Sequence, residues 1–523
     1  MKGMITSSKC AIEKLAAIDK LVVGPARIER RRICASYTII QGSKKDTASL
    51  IYSFQENVFE PERADYQNLA DVMAAQVALN YGLFCREIEF QGSLDHHDRR
   101  FIAAMAENTA REIFVNRILK PNPFLSGDAA GIPAHRLPRY LQAEITFTHK
   151  PLEQRVSGKG WETSSKKYAV LSSGGKDSLL SFGLLQETEQ DVHPLFVNES
   201  GRHWLTALNA YRFIGSTSPN AAKVWTNADR LFSWAVRHLP FIRKDFSRVR
   251  ADIYPVRLWT VAVFIFGVIP LMKKRGLGKL VIGDEYDTTR RRRHRGIPHY
   301  DGLYDQSIYF DSSMTTYFRK KGWGIHQLSL LRPLSEMLIE KILSERYPHL
   351  QKHQMSCHAA HTERGAVKPC GKCEKCRRIV GMLTAIGKDP VWCGYEPAQT
   401  EACLREIAEG TSKQDGPDVQ HLLHLLKQKG SIGAQLPDWQ RPMERREIMM
   451  VRLDAERSPA EALPPEIRER LFGIFLEHAD GAVRRSDRCW HNIDLFEEQE
   501  SGSQKTRKQK RTRTQKGGAE ALG

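Results

Sequence analysis

No stretch of this sequence is apolar for long enough to cross a bilayer. The longest apolar run, Leu258 to Met272, is broken by Thr260, Gly267 and Pro270. It falls short of the roughly 18–20 residues a spanning helix needs, so a buried helix is expected there and no membrane span. An apolar leader is missing as well, because Met1-Lys2-Gly3 runs into mixed polar sequence, and no secretory signal is expected. Cysteine is sparse, ten in 523 residues, which argues against a disulfide scaffold and for a reducing, cytoplasmic setting. Acidic residues are outnumbered, 61 Asp and Glu against 79 Lys and Arg, for a formal net charge of +18. Part of that excess lies near the C-terminus, where Lys505, Arg507, Lys508, Lys510, Arg511, Arg513 and Lys516 follow one another with no acid between them. The rest of the chain is still basic, which suits anionic partners such as nucleotides, nucleic acid or an acidic membrane surface without choosing among them.

What is present is ordinary for a globular chain: 41% hydrophobic and 27% charged residues, in a length suited to several domains. Residues 1–160 carry strand-like alternation from Ile33 to Tyr52 and helical periodicity from Ala64 to Leu83 and from Asp95 to Ile118, and predict an N-terminal α+β accessory domain. A turn at Lys120-Pro121-Asn122-Pro123 closes that helical stretch, and Ser157-Gly158-Lys159-Gly160 reads as a linker. Residues 166–395 alternate differently. Strands are expected at Tyr168–Leu171, His193–Asn198, Val224–Asn227 and Lys279–Gly283, with helices at Leu179–Glu187 and Arg202–Phe213 and the apolar helix around 258–272. That order predicts an α/β domain, a parallel doubly wound sheet with helices on both faces. Residues 396–498 read as a mainly helical C-terminal region, and 499–523 as a disordered basic tail.

The turn after the first of these strands is Ser173-Gly174-Gly175-Lys176-Asp177-Ser178. Its glycines let backbone N–H groups approach an anion, and the helix that follows adds free N–H groups and a positive dipole end. Lys176 supplies a point charge, Ser173 and Ser178 hydroxyls, and Asp177 a contact for Mg²⁺. The spacing excludes a Walker loop, which needs Gly, four residues, then Gly-Lys-Ser/Thr. Asn198 and Asn227 end the second and third strands, where they would line an adenosine pocket. Gly283-Asp284-Glu285-Tyr286-Asp287 ends the fourth, at the sheet edge where such folds bind ligands. Asp284 and Glu285 are therefore candidates for Mg²⁺ binding or acid–base work, or form a solvated acidic turn paired with the arginines that follow. Arg290 and Arg291, in the run Arg290–Arg293, could clamp an anionic substrate, meet nucleic acid, or simply face solvent. Arg332 and Glu336 stand four apart and could pair along a helix. His299, Tyr300 and Asp301 are possible proton-transfer groups.

Cys370, Cys373 and Cys376 are spaced by two residues each, and Cys357 lies upstream of a segment able to loop back. Four thiolates match the tetrahedral preference of Zn²⁺, and a closed shell of four points to a structural site. His358 or His361 could replace one ligand, and an iron–sulfur cluster is the alternative metal.

The Ser-Gly-Gly-Lys-Asp-Ser run after a first strand resembles the signature of the PP-loop ATP pyrophosphatases, of the adenine-nucleotide alpha-hydrolase-like (HUP) fold. The resemblance implies that ATP is cleaved to AMP and pyrophosphate while a substrate oxygen is adenylated. A Cys₄ zinc knuckle downstream is similar to that of the cyanodeazaguanine synthases. Ser329-Leu330-Leu331-Arg332-Pro333-Leu334-Ser335-Glu336 followed by the cysteine block resembles the ATP-dependent UDP-N-acetylmuramoyl-L-alanyl-L-glutamate epimerases. That likeness runs in order through most of residues 50–390, leaving 283–305 and the C-terminal part outside it. It implies an anionic carboxylate substrate, activation of the terminal glutamate and a role for Arg332 and Glu336 in binding it. A nucleobase- or tRNA-modifying enzyme, which would use the basic surface to meet RNA, and a nucleotide-binding component of a phage-defence complex are the other readings.

Overall fold

The computed structural model describes residues 12–150, 160–201, 203–249, 251, 253–410, 416–433, 436 and 441–496. Residues 157–159 of the expected linker 157–160, and the basic tail at 499–523, lie outside the described residues. The fold is mixed α/β, built on one large, mostly parallel sheet.

The N-terminal strands of that sheet are β1 (Ile18–Glu29), β2 (Arg32–Gln41), β3 (Lys44–Phe54), β4 (Cys85–Phe90) and β5 (Glu144–Phe147). The later ones are β6 (Ser164–Ser172), β7 (Asp191–Asn198), β8 (Ala222–Thr226) and β9 (Leu277–Val281). A small hairpin, β10 (Arg292–His294) with β11 (Ile297–His299), then precedes β12 (His326–Leu328), the last strand of the large sheet. The spatial order is β12-β9-β6-β7-β8-β3-β2-β1-β4-β5. The five strands from β12 to β8 are mutually parallel, and the chain reverses its direction of progress between β6 and β9. A reversal of this kind opens a crevice at the carboxyl ends of the two strands. β9 is buried at every residue and β7 from Val192 to Val197, the continuous burial of a sheet covered on both faces.

The N-terminal layer continues this sheet. Tyr52, Ser53 and Phe54 of β3 pair antiparallel with Thr226, Trp225 and Val224 of β8. Around it pack helices α1 (Ala64–Ala75) and α2 (His96–Ile113). The helix expected to run from Ala64 to Leu83 ends at Ala75 and gives way to a tighter turn, Val77–Tyr81. That turn carries the Asn80 carboxamide to the backbone of Leu258 and Trp259, with bonds of 2.9–3.0 Å.

Helices α3 (Lys176–Glu187) and α4 (His203–Thr217) follow β6 and β7, and α5 (Ala228–Val236) and α6 (Val261–Arg275) follow β8. α6 is the expected apolar helix, buried from Ala262 to Met272 apart from Phe264 and closed by Gly276 in the left-handed region. Helices α7 (Ile308–Lys321), α8 (Glu336–Arg346), α9 (Pro348–Gln351) and α10 (Glu374–Ala385) come next. Tyr168 and Val170 of β6 join a core with α3, α4 and α8, whereas Ala169 joins the core of α6 and the N-terminal layer. The two faces of the sheet thus have separate cores. Among the described residues no helix is long and apolar enough to cross a membrane.

Between α9 and α10 stands a hairpin, β13 (His361–Glu363) with β14 (Ala366–Lys368). The C-terminal region holds α11 (Pro397–Ala408), α12 (Gly416–Gln428) and α13 (Arg468–Leu476), but it is not mainly helical after residue 428. A three-stranded sheet forms there from β15 (Val451–Leu453), β16 (Ala482–Ser486) and β17 (Cys489–Ile493). The β16–β17 turn places both Asp487 and Arg488 at positive φ (49° and 67°), a geometry that usually announces itself through Asn-Gly or Asp-Gly. The sequence carries no such signal.

Candidate functional site

The phosphate-loop candidate lies at the carboxyl edge of β6, on one side of the crevice. Gly174 has φ of +76°, and a Cβ there would stand 2.4 Å from the Thr206 carbonyl oxygen of α4. Glycine is therefore required both by the turn and by contact with the neighbouring helix. Gly175 caps α3, whose first-turn N–H groups have no intrahelical acceptor. Ser173 is exposed. Ser178 donates its hydroxyl to the Gly175 carbonyl at 3.1 Å and so ties the loop to its own helix.

Lys176 is buried, with its ammonium 2.7 Å from the Asp177 carboxylate. Burial alone would lower this ammonium, but Asp177 and Glu285 together outweigh it and hold it above its ordinary value. Across the crevice, Gly283 follows β9 so closely over α3 that a Cβ there would stand 2.6 Å from the Cβ of Asp177. That approach brings Glu285 to the cleft. Burial raises its carboxyl above the usual range, against the pull of Lys176. The cleft between the two strand ends measures about 600 Å³ and is walled by Lys176, Asp177, Glu285 and Asp287 together with Arg290, Arg292, Lys375 and Arg378.

The remaining sequence candidates are placed differently. Asp284 is turned away from the cleft wall into a buried knot with Arg332, whose guanidinium reaches Asp311 at 2.6 Å and Asp284 at 3.4 Å. Arg332 also donates to the Thr288 hydroxyl and the Gln306 carbonyl, both at 2.8 Å. It is a buried cross-brace among three loops, not a surface clamp. The pairing of Arg332 with Glu336 does not form, because Glu336 is ion-paired with Arg378 instead. Arg290 stays at the cleft and donates to the Asp287 carbonyl at 2.6 Å. Arg291 lies over the Tyr309 ring, 4.0 Å from its centroid and 3.7 Å from Glu456, and is not part of that wall. Asp301 reaches the wall, held by Lys120 at 2.7 Å, while burial lowers neighbouring His299 to about 4.

Asn198 accepts a hydrogen bond from the Ser200 N–H at 2.9 Å. Asn227 is engaged elsewhere: its carboxamide accepts from the Ile51 N–H and donates to the Ser49 carbonyl, each at 2.8 Å, and so ties β8 to β3. Arg202 lies outside the described residues. A second cavity of about 310 Å³ opens by the ends of β7 and β8, with aromatic walls from Phe232 and Tyr254 and a polar side from His203, Asp229 and Arg257. Beside it burial raises Glu199 to about 7, against Arg257. Nothing in the sequence pattern distinguished Arg257, which becomes notable only through Asp229 and Glu199, neighbours remote in the chain.

The four expected cysteines come together. Their sulfurs all lie within 4.8 Å of one another, with separations of 3.4, 3.8 and 3.9 Å for three of the pairs. One tetrahedral ion with metal–sulfur bonds of about 2.3 Å requires about 3.8 Å between sulfurs. An iron–sulfur cluster spreads its thiolates over several metals and needs them farther apart. The β13–β14 hairpin returns the chain from Cys357 to Cys370, and backbone N–H groups of Ala359 and Cys370 point at the Cys357 sulfur, at 3.3 and 3.2 Å. Among the described residues this metal-type group comprises the four cysteines alone, without His358 or His361; His358 lines the second cavity instead. The group adjoins the phosphate-loop candidate, for the Met355 N–H donates to the Gly174 carbonyl at 2.9 Å.

No protein-family profile matches the sequence, and no curated protein aligns with it significantly.

Proposed function

We propose that this chain is an ATP-cleaving enzyme of the PP-loop type that releases pyrophosphate and transfers AMP to a substrate carboxylate. The observation that carries the reading is the pairing of a glycine loop and helix N-terminus with Glu285 across the sheet's reversal point. ATP phosphates would lie over 173–178, where first-turn N–H groups and Lys176 meet negative charge. The adenine ring fits the second, aromatic-walled cavity. Asp177 and Glu285 offer the hard oxygen ligands that Mg²⁺ prefers; when bound, that ion would neutralise charge on the phosphates. The four-cysteine centre suits Zn²⁺ in a structural role.

In the reaction a carboxylate oxygen attacks the α-phosphorus, a new P–O bond forms, and the bond to the bridging oxygen breaks with its electron pair leaving on pyrophosphate. Arg290 and Arg292 give the cleft a cationic side for an anionic carboxylate substrate. Our best assignment of that substrate is UDP-N-acetylmuramoyl-L-Ala-L-Glu. Adenylation would remove the charge of its terminal α-carboxylate and acidify the adjacent C–H for inversion, after which water would release AMP.

Purified protein with ATP and this dipeptide precursor should yield AMP, pyrophosphate and D-glutamate, and Lys176→Ala should abolish pyrophosphate release. Pyrophosphate release without D-glutamate would remove the substrate assignment alone. Unchanged release from Lys176→Ala would remove the loop assignment.

A further inference from the structure

The loop itself brings a single ammonium to a polyphosphate, and Asp177 already engages it at 2.7 Å. Additional cations reach the same cleft from the metal-type module. Cys373 caps α10 and Cys376 stands in its first turn, so an ion held by the four thiolates would fix how that helix begins. Lys375 and Arg378 leave the helix at that end and line the cleft with Lys176, Asp177 and Glu285. Glu285 and Asp177 both act on the Arg378 guanidinium, which is ion-paired with Glu336. The module also braces the loop from behind through Met355 and Gly174, and Ser356 Oγ lies 3.4 Å from where a Cβ on Gly175 would stand. A guanidinium offers two parallel donors to phosphate oxygens, a match that an ammonium lacks.

We propose that Lys375 and Arg378 form the pyrophosphate subsite of the cleft, and that the four-cysteine centre positions it. The proposal rests on the ATP-cleaving reading and names the residues that take the leaving group. Glu336 holds Arg378 until a phosphate oxygen replaces it.

The test is calorimetric titration of inorganic pyrophosphate with Mg²⁺ into the full-length protein. Arg378→Ala should weaken binding at least tenfold, and Arg378→Lys should restore only part of it, because the second donor is lost. Glu336→Gln, which frees the guanidinium without deleting it, should tighten binding about threefold. Stripping the metal should weaken pyrophosphate at least tenfold while leaving AMP binding intact, and reloading with Zn²⁺ should reverse the loss. If Lys176→Ala abolishes binding while Arg378→Ala and Glu336→Gln leave it unchanged, the subsite is overturned and the phosphate loop stands. Full affinity in metal-stripped protein overturns the positioning role. Failure of the unaltered protein to bind pyrophosphate at all overturns the ATP-cleaving reading, and the subsite with it.

Discussion

Arg332 is 1% exposed, and its guanidinium is shared by Asp311, Asp284, the Thr288 hydroxyl and the Gln306 carbonyl. Arg332→Ala would leave two carboxylates facing each other in a dry interior. Breaking a buried pair from one side costs about 3–5 kcal/mol. With a urea slope of about 3 kcal/mol per molar, the unfolding midpoint should fall by roughly 1–1.7 M. The deficit should also depend on pH. Burial already holds Asp284 well above the usual carboxylate range, with Arg332 opposing it, so removing Arg332 raises it further. A group whose folded pKa lies above its unfolded value of about 3.9 stabilises fully below that value and loses this contribution as pH rises. The gap between variant and unaltered protein should therefore be smallest near pH 4 and widen toward pH 7. Arg332→Met combined with Asp311→Asn should recover much of the loss, because deleting both partners costs far less than stranding one. Urea titrations followed by tryptophan fluorescence at several pH values read all three effects. An unmoved midpoint together with a raised KM for the carboxylate substrate would refute the cross-brace and return Arg332 to the substrate.

Gly174→Ala must place a side chain at φ +76° against the Thr206 carbonyl; strain of about 1–3 kcal/mol should lower the melting midpoint, and steady-state assays should show the ATP KM rising at least tenfold. Asn227→Ala leaves backbone groups of β3 unpaired, at about 1–3 kcal/mol; amide exchange at Ile51 should accelerate while the KM for ATP stays put, and the opposite pattern would restore Asn227 to the nucleotide. For Glu285→Gln the two readouts should move in opposite directions. Because burial raises the Glu285 carboxyl, its contribution to stability fades as pH rises, so the variant should be the more stable protein at pH 8 and no better near pH 4. Its pyrophosphate release should fall on the order of 10²-fold, in line with the loss of a charged group at a reacting centre.

Local chemistry made part of this fold legible. The glycines between β6 and α3, the continuous apolar strands and the cysteine spacing each depend on neighbours a few residues away, and each stands where the pattern placed it. What the pattern missed depends on distant partners. Arg332 and Asp284 look like ligand-binding groups as a sequence, yet a buried charge is stabilised by whatever opposite charge the topology supplies, here Asp311 on α7. Asn227 follows a strand as a cofactor residue would, but its neighbour is an interior strand of the sheet from the far N-terminal part of the chain. Lys375 and Arg378 flank the cysteines in the sequence, and only the placement of α10 against the strand ends turns them to the cleft. The C-terminal sheet escaped notice because β15 and β16 are short and the β16–β17 hairpin turns without glycine.

The junction of β3 with β8 also bears on how the chain is made. The Ile51 amide meets Asn227 across 176 residues of sequence, so on a ribosome the N-terminal meander emerges long before the strand that covers its edge. Until β8 is synthesised, β3 presents unpaired backbone groups able to recruit another nascent chain. Its exposed start, Lys44-Lys45-Asp46-Thr47, is charged, which discourages such pairing during the wait. Slow synthesis or truncation between β3 and β8 should therefore favour clumping of growing chains over a free, folded N-terminal piece.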